Sequence, residues 1–221
     1  MTELDADRAL ALAYVPAARR EAVRALWALD AALGAVLAGG REPLISRIKL
    51  AWWRDALEAL DHSNAPAEPV LQAVAAGVLP AGVSGVELSR MEEGWTLLLS
   101  DEPLTASALG TYAAARGALL FRHSAHILGS EADEAMAQAG EGWALMDLAR
   151  HSNAVDAEAA LAAARERFSG LKDLRWLSGL RPLGMLARLA GRDAERGLAG
   201  LEPHGAPVRI WTMLRHRITG R

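Results

Sequence analysis

Apolar residues recur three and four positions apart along almost the whole chain, which is the spacing of one helix face. The interruptions fall at proline and glycine. Alternating strand patterns and Asn-Gly or Asp-Gly hairpin turns are absent. The pattern predicts a short helix over residues 5–13. A long helix begins at Pro16, with the stripe Val23, Leu26, Leu29, Leu33, Leu37, and stops at Gly39-Gly40. A third runs from Glu42 to Asp61. A short helix over 68–77, a turn at 79–85 and a helix over 85–100 follow. The next opens at Asp101-Glu102-Pro103 and ends before Gly129-Ser130. Residues 131–153 and the alanine-rich 156–168 read as helices, then 177–190, 193–198 and 207–219. Connections are short and no internal repeat occurs, which predicts one all-α helical bundle spanning residues 1–221.

The segment from Glu42 to Asp61 has the strongest pattern. At about 100° per residue, Arg47, Ala51, Arg54, Glu58 and Asp61 form one narrow stripe. Ile45, Ile48, Trp52, Trp53, Ala56, Leu57 and Leu60 fill the rest. So wide an apolar arc predicts a helix covered on several sides, with Lys49 in the middle of it. A buried lysine needs a partner, a shifted pKa or an edge to snorkel to. Other polar residues also interrupt apolar stripes. Asp30 lies with Val23, Leu26, Leu33 and Leu37; Arg116 and His123 lie with Leu109, Tyr112, Leu119, Leu120 and Ile127. Asp147 stands beside Trp143, with Arg150 and His151 one turn on. Pairing buried charges is the economical arrangement, so Lys49 is expected to meet Asp30 or Asp147. The result is either a structural ion pair or a site for an anionic ligand faced by Arg116 and Lys49.

Composition narrows the chemistry. With no cysteine there is no disulfide framework, thiolate metal site or cysteine nucleophile. A net charge of −3 excludes a general nucleic-acid binder. No apolar run reaches the length of a membrane span, and the acidic start MTELDADRAL is unlike a secretion signal, so a cytoplasmic protein is expected. No Gly-x-Ser-x-Gly elbow or glycine-rich phosphate loop is present. His123-x-x-His126 and Asp147-x-x-x-His151 are weak metal patterns, and no metal ligand is assigned. The tail, with Ile210, Trp211, Leu214 and Ile218 against Arg209, Arg215, Arg217 and Arg221, reads as a basic amphipathic helix. It either caps the bundle or docks on anionic lipid.

Ala25-Leu26-Trp27-Ala28-Leu29, followed by Lys49-Leu50-Ala51-Trp52-Trp53-Arg54-Asp55-Ala56-Leu57, resembles the squalene/phytoene synthase family. Thr105, Leu109, Tyr112 and Gly117 fit its mid-chain helix, and Gly142 to Arg150 resembles the helix bearing its second acidic motif. The resemblance covers residues 10–155. It implies the all-α isoprenoid-synthase fold, shortened at the C-terminus, and prenyl transfer between allylic diphosphates with magnesium held by two Asp-rich motifs on facing helices. The first motif's acids correspond here to Gly34, Ala35 and Ala38. The second reads Arg150-His151-Ser152-Asn153-Ala154-Val155, in which only the arginine remains.

The resemblance therefore implies a degenerate branch, similar to the complex I assembly factors of this fold, in which transferase activity is lost and a binding or assembly role remains. Two alternatives stay open. One is an active magnesium-dependent transferase on isoprenoid diphosphates, using Asp30, Asp147 and Glu92 or Glu93. The other is a helical scaffold at a membrane surface. The candidate cavity residues are Asp30, Lys49, Trp53, Arg116, His123, Asp147 and Arg150. No cofactor is expected, or magnesium if the chain is active. The candidate partners are an isoprenoid or its diphosphate, a protein, or a membrane periphery.

Overall fold

Prolines and short polar side chains start most of the helices. In the computed structural model, which describes residues 4–39, 42–100, 102–171 and 173–220, α1 (Ala6–Ala13) is capped by the Asp5 carboxylate, which accepts the N–H groups of Asp7 and Arg8. Helix α2 (Ala17–Ala38) follows Pro16, and Pro43 opens α3 (Pro43–Ala59). Glu68 caps α4 (Pro69–Ala73), which runs into a π-helical turn, Val74–Val78. A Ser84–Glu87 capping box starts α5 (Gly85–Ser89), and α6 (Met91–Leu97) follows. Thr105 caps α7 (Ala106–Tyr112), which passes through a π-helical segment, Ala113–Ala118, into α8 (Leu119–Ile127). Asp133 caps α9 (Glu134–His151) and Asn153 caps α10 (Ala154–Phe168). Helices α11 (Arg181–Arg196) and α12 (Pro207–Thr219) complete the bundle. Among the described residues there is no strand.

Three boundaries depart from the sequence pattern. The predicted pair 177–190 and 193–198 is one helix, α11. Gly191 is tolerated inside it because Leu183, Leu186, Leu189, Ala190, Asp193 and Ala194 keep a single buried face. The stretch 85–100 divides at Arg90 into α5 and α6. The helix expected from Asp101 begins at Ala106, since the Asp156 carboxylate accepts the Leu104 N–H at 2.8 Å and holds the approach outside the helix. Asp101 itself lies outside the described residues.

Helix α2 is the central element and packs against α1, α3, α4, α6, α8 and the first π turn. Leu26, Trp27, Leu29 and Leu33 are fully enclosed. The Trp27 indole N–H donates to Ser124 Oγ at 3.0 Å, so burying the ring leaves no polar atom unpaired. Helix α3 buries Ser46, Leu50, Trp53 and Leu57 and leaves Leu44, Ile45, Ile48 and Trp52 exposed. Its wide apolar arc is therefore two faces, of which the bundle covers one. Lys49 stands on the open side and is exposed, so it meets neither Asp30 nor Asp147. This corrects the expectation of a buried lysine. A hydrophobic arc shows that a side can be covered; only the neighbouring helices decide whether it is.

Candidate functional site

A close helix crossing builds the site. A Cβ on Gly117 would lie 2.2 Å from the Gly140 carbonyl oxygen, and one on Gly140 would lie 2.5 Å from that of Gly117. Only glycine allows the π-helical segment and α9 to approach so closely. The contact delivers Arg116, in the same π segment, against Asp147 of α9. Such π segments recur at functional sites because they re-aim side chains. On the far side Arg116 reaches Asp30 of α2. Between these helices and α6 lies a cavity of about 940 Å³, lined in part by Ala31, Gly34, Ala35, Leu37, Ala38, Trp95, Leu98 and Leu104, with Asp30, Tyr112, Arg116 and Asp147 at its polar part. That is at the upper end of the range of about 300–1,000 Å³ usual for small-molecule sites.

Arg116 is the hub. Its Nε and Nη2 donate to the two oxygens of Asp30 at 2.8 and 3.0 Å, and its Nη1 donates to Asp147 Oδ2 at 2.6 Å and to the Tyr112 hydroxyl at 2.5 Å. Its guanidinium carbon lies 4.3 Å from the Trp95 ring centroid and 4.9 Å from that of Trp143, a cation held by two aromatic rings. Arg8 of α1 adds a bond to Asp30 Oδ2 at 2.9 Å and one to Asp5 Oδ2 at 2.5 Å. Burial alone would raise the Asp147 pKa, but Arg116 and Arg8 outweigh it and bring it down to about 2. Burial likewise works against the Arg116 charge, and Asp30, Tyr112 and Asp147 reverse that, holding its pKa well above the ordinary arginine value. Burial raises that of Tyr112, which keeps its proton.

Of the residues singled out in the sequence, Asp30, Arg116 and Asp147 come together, and all three line the cavity. The other four are placed elsewhere. Lys49 is exposed on α3, and Trp53 is buried on the inner face of that helix. His123 is buried outside the cavity lining, with a pKa lowered chiefly by burial. Arg150 donates to Asp193 Oδ2 at 2.9 Å and to the Glu202 carbonyl at 3.0 Å, in a second charge network. Glu92 and Glu93 are not among the lining residues. Arg8 and Trp95 belong to the site and escaped the sequence reading. Asp5-x-x-Arg8 is a legible helical pair, but nothing local signals that Arg8 reaches Asp30, 22 positions on.

Asp5, Asp7 and His204 bring ligand atoms within 4.8 Å of one another. Arg8 already neutralises Asp5, and Arg209 neutralises Asp7, with its Nε and Nη2 on Asp7 Oδ2 at 3.0 and 2.9 Å. A cation there would have to displace two guanidinium groups, so the cluster reads as an ion-pair junction. The magnesium cage implied by the family resemblance fits no better. Gly34, Ala35 and Ala38, which correspond to the first acidic motif, line the cavity but carry no carboxylate. His151 lines it where the second motif has its first acid. Both oxygens of Asp30 and one of Asp147 are taken by arginine, whereas magnesium needs carboxylate oxygens free to bind it.

An all-α bundle with single carboxylates from α2 and α9 facing across a central cavity is an isoprenoid-synthase type of fold. The sequence model of the squalene/phytoene synthase family matches residues 1–215, and the chain belongs to that family. No curated protein and no solved structure matches it. No helix among the described residues is long and apolar enough to cross a membrane.

Proposed function

We propose that this chain is a non-catalytic member of the squalene/phytoene synthase family that keeps the cavity as a binding site and has lost prenyl transfer. One observation carries the reading: the guanidinium of Arg116 lies between Asp30 and Asp147 and bonds to both. Ionising an allylic diphosphate requires metal ions to neutralise the leaving group. Here the two facing carboxylates are committed to an arginine, and the neighbouring positions 34, 35 and 38 are glycine and alanine. The test is incubation of the purified protein with magnesium and farnesyl or geranylgeranyl diphosphate. No release of inorganic diphosphate above the protein-free rate is expected; sustained turnover would overturn the proposal.

A second feature supports work at a membrane surface. Ile48 is 62% and Trp52 46% exposed, and with Leu44 and Ile45 they form an apolar stripe flanked by exposed Arg47 and Lys49. The Ser46 hydroxyl donates to the Val36 carbonyl, so this stripe begins beside the end of α2 where Leu37 and Ala38 line the cavity. The C-terminal helix is the weaker candidate anchor, because α12 packs on α11 and α1 and buries Arg209, Met213 and His216. Sedimentation with anionic vesicles separates the two. Loss of binding in Ile48→Glu assigns α3, and loss in Trp211→Glu, at an exposed position that leaves Arg209 in place, assigns α12. No binding of the unaltered chain to anionic vesicles would leave a protein partner as the occupant of the stripe.

A further inference from the structure

We propose that the cavity takes an uncharged, elongated prenyl lipid ending in a hydroxyl group, and not a prenyl diphosphate. The inference rests on the binding role proposed above and names its ligand class. The apolar lining from α2, with Leu98 and Leu104, suits a hydrocarbon chain. The polar part decides the head group.

The cavity lining carries two arginines, Arg8 and Arg116, against four aspartates, Asp5, Asp30, Asp147 and Asp156, so carboxylates outnumber guanidinium groups by two. Both arginines are already paired with carboxylates. All three guanidinium nitrogens of Arg116 already donate to Asp30, Asp147 or Tyr112, and Arg8 is divided between Asp5 and Asp30. A diphosphate would bring further negative charge into a partly dry site with no unspent cation, a cost that like charges at close range make prohibitive. One group facing the cavity lacks a hydrogen bond. Asp147 Oδ1 has His151 Nδ1 at 3.6 Å, beyond hydrogen-bond distance, and its side chain keeps 23% of its exposure. A carboxylate oxygen with no hydrogen bond of its own matches a hydroxyl, which can donate its hydrogen to it. A diphosphate offers acceptors only, and its oxygens would face the Asp147 carboxylate.

The test is calorimetric titration of the full chain with geranylgeraniol and with geranylgeranyl diphosphate, each with magnesium and with EDTA. The alcohol is expected to bind with a Kd that magnesium does not change, and the diphosphate at least about tenfold more weakly under both conditions. Asp147→Asn, which removes the charge and adds a donor, is expected to narrow that preference by about tenfold. Ala38→Trp at the cavity edge is expected to abolish alcohol binding, with Ala35→Phe as the second blocking variant should Ala38→Trp not fold. Tighter or magnesium-dependent binding of the diphosphate without its breakdown overturns the head-group assignment and leaves the non-catalytic reading standing. Breakdown of the diphosphate overturns that reading instead. Binding of neither compound, or binding of the alcohol unchanged by the blocking variants, overturns the inference outright.

Discussion

Two buried charge networks lie side by side in this bundle, and they do different work. The first joins Arg8, Asp30, Arg116 and Asp147 beside the large cavity. The second joins Asp7, Arg209, Asp193 and Arg150, with Arg209 Nη1 on Asp193 Oδ2 at 2.6 Å. It ties α1 to α9, α11 and α12, and so closes the two ends of the chain on each other across 202 positions. His204 bridges them, 2.5 Å from Asp7 and 3.7 Å from Asp5. Buried ion pairs contribute little net stability, because desolvation offsets most of the attraction, but breaking one strands a charge. In the second network, Asp7, Asp193 and Arg209 are all nearly inaccessible, so every partner is needed. In the first, Asp147 faces open volume and can take up water. The same chemistry is thus a clasp in one place and the wall of a binding site in the other.

Breaking the clasp has the largest expected effect. Arg209→Met removes the shared partner of Asp7 and Asp193, leaving Asp7 to His204 and Asp193 to Arg150 in a region closed to water, and is expected to cost about 5 kcal/mol in urea unfolding. Arg116→Met costs less, about 3–4 kcal/mol, since Arg8 stays on Asp30 and Asp147 rehydrates from the cavity. Equal losses from the two variants would erase the distinction between the networks. Gly117→Ala drives a methyl group into the Gly140 carbonyl and is expected to cost about 3 kcal/mol, while weakening any ligand bound beside Arg116.

Acid acts on both networks. Asp7 and Asp147 have pKa values lowered from the ordinary 3.8 to about 2, Asp7 by His204 and Arg209 against the opposing effect of burial. The stability they lend is therefore complete above about pH 4 and is lost as pH falls from 3.8 towards 2, by up to about 2 kcal/mol for each group. Denaturation midpoints at pH 7, 4 and 3 follow it, and Asp147→Asn should flatten part of the slope. The smallest effect on stability is expected from Ile48→Glu on the open face of α3, within about 0.5 kcal/mol. If that variant destabilised the bundle as a core substitution does, the face would not be open.

The helical class was legible because it rests on local spacing: apolar residues at helical intervals and prolines at Pro16, Pro43 and Pro207 state where helices run before any contact is formed. Asp30, Arg116 and Asp147 were legible as polar residues on apolar stripes, and the chain brings all three together. That positions 34, 35 and 38 are glycine and alanine was legible too. Which charge meets which was not. Lys49 and Arg116 look alike in sequence, each a cation within an apolar arc. The packing of α3 turns Lys49 to solvent, while the Gly117–Gly140 crossing carries Arg116 between two aspartates. Periodicity fixes angles about one helix axis and says nothing of what stands opposite. The sequence by itself determined the helical class and the family. Tertiary packing decided the arginine lock, the clasp across the chain ends and the uncovered face of α3, because each depends on distances between residues far apart along the chain.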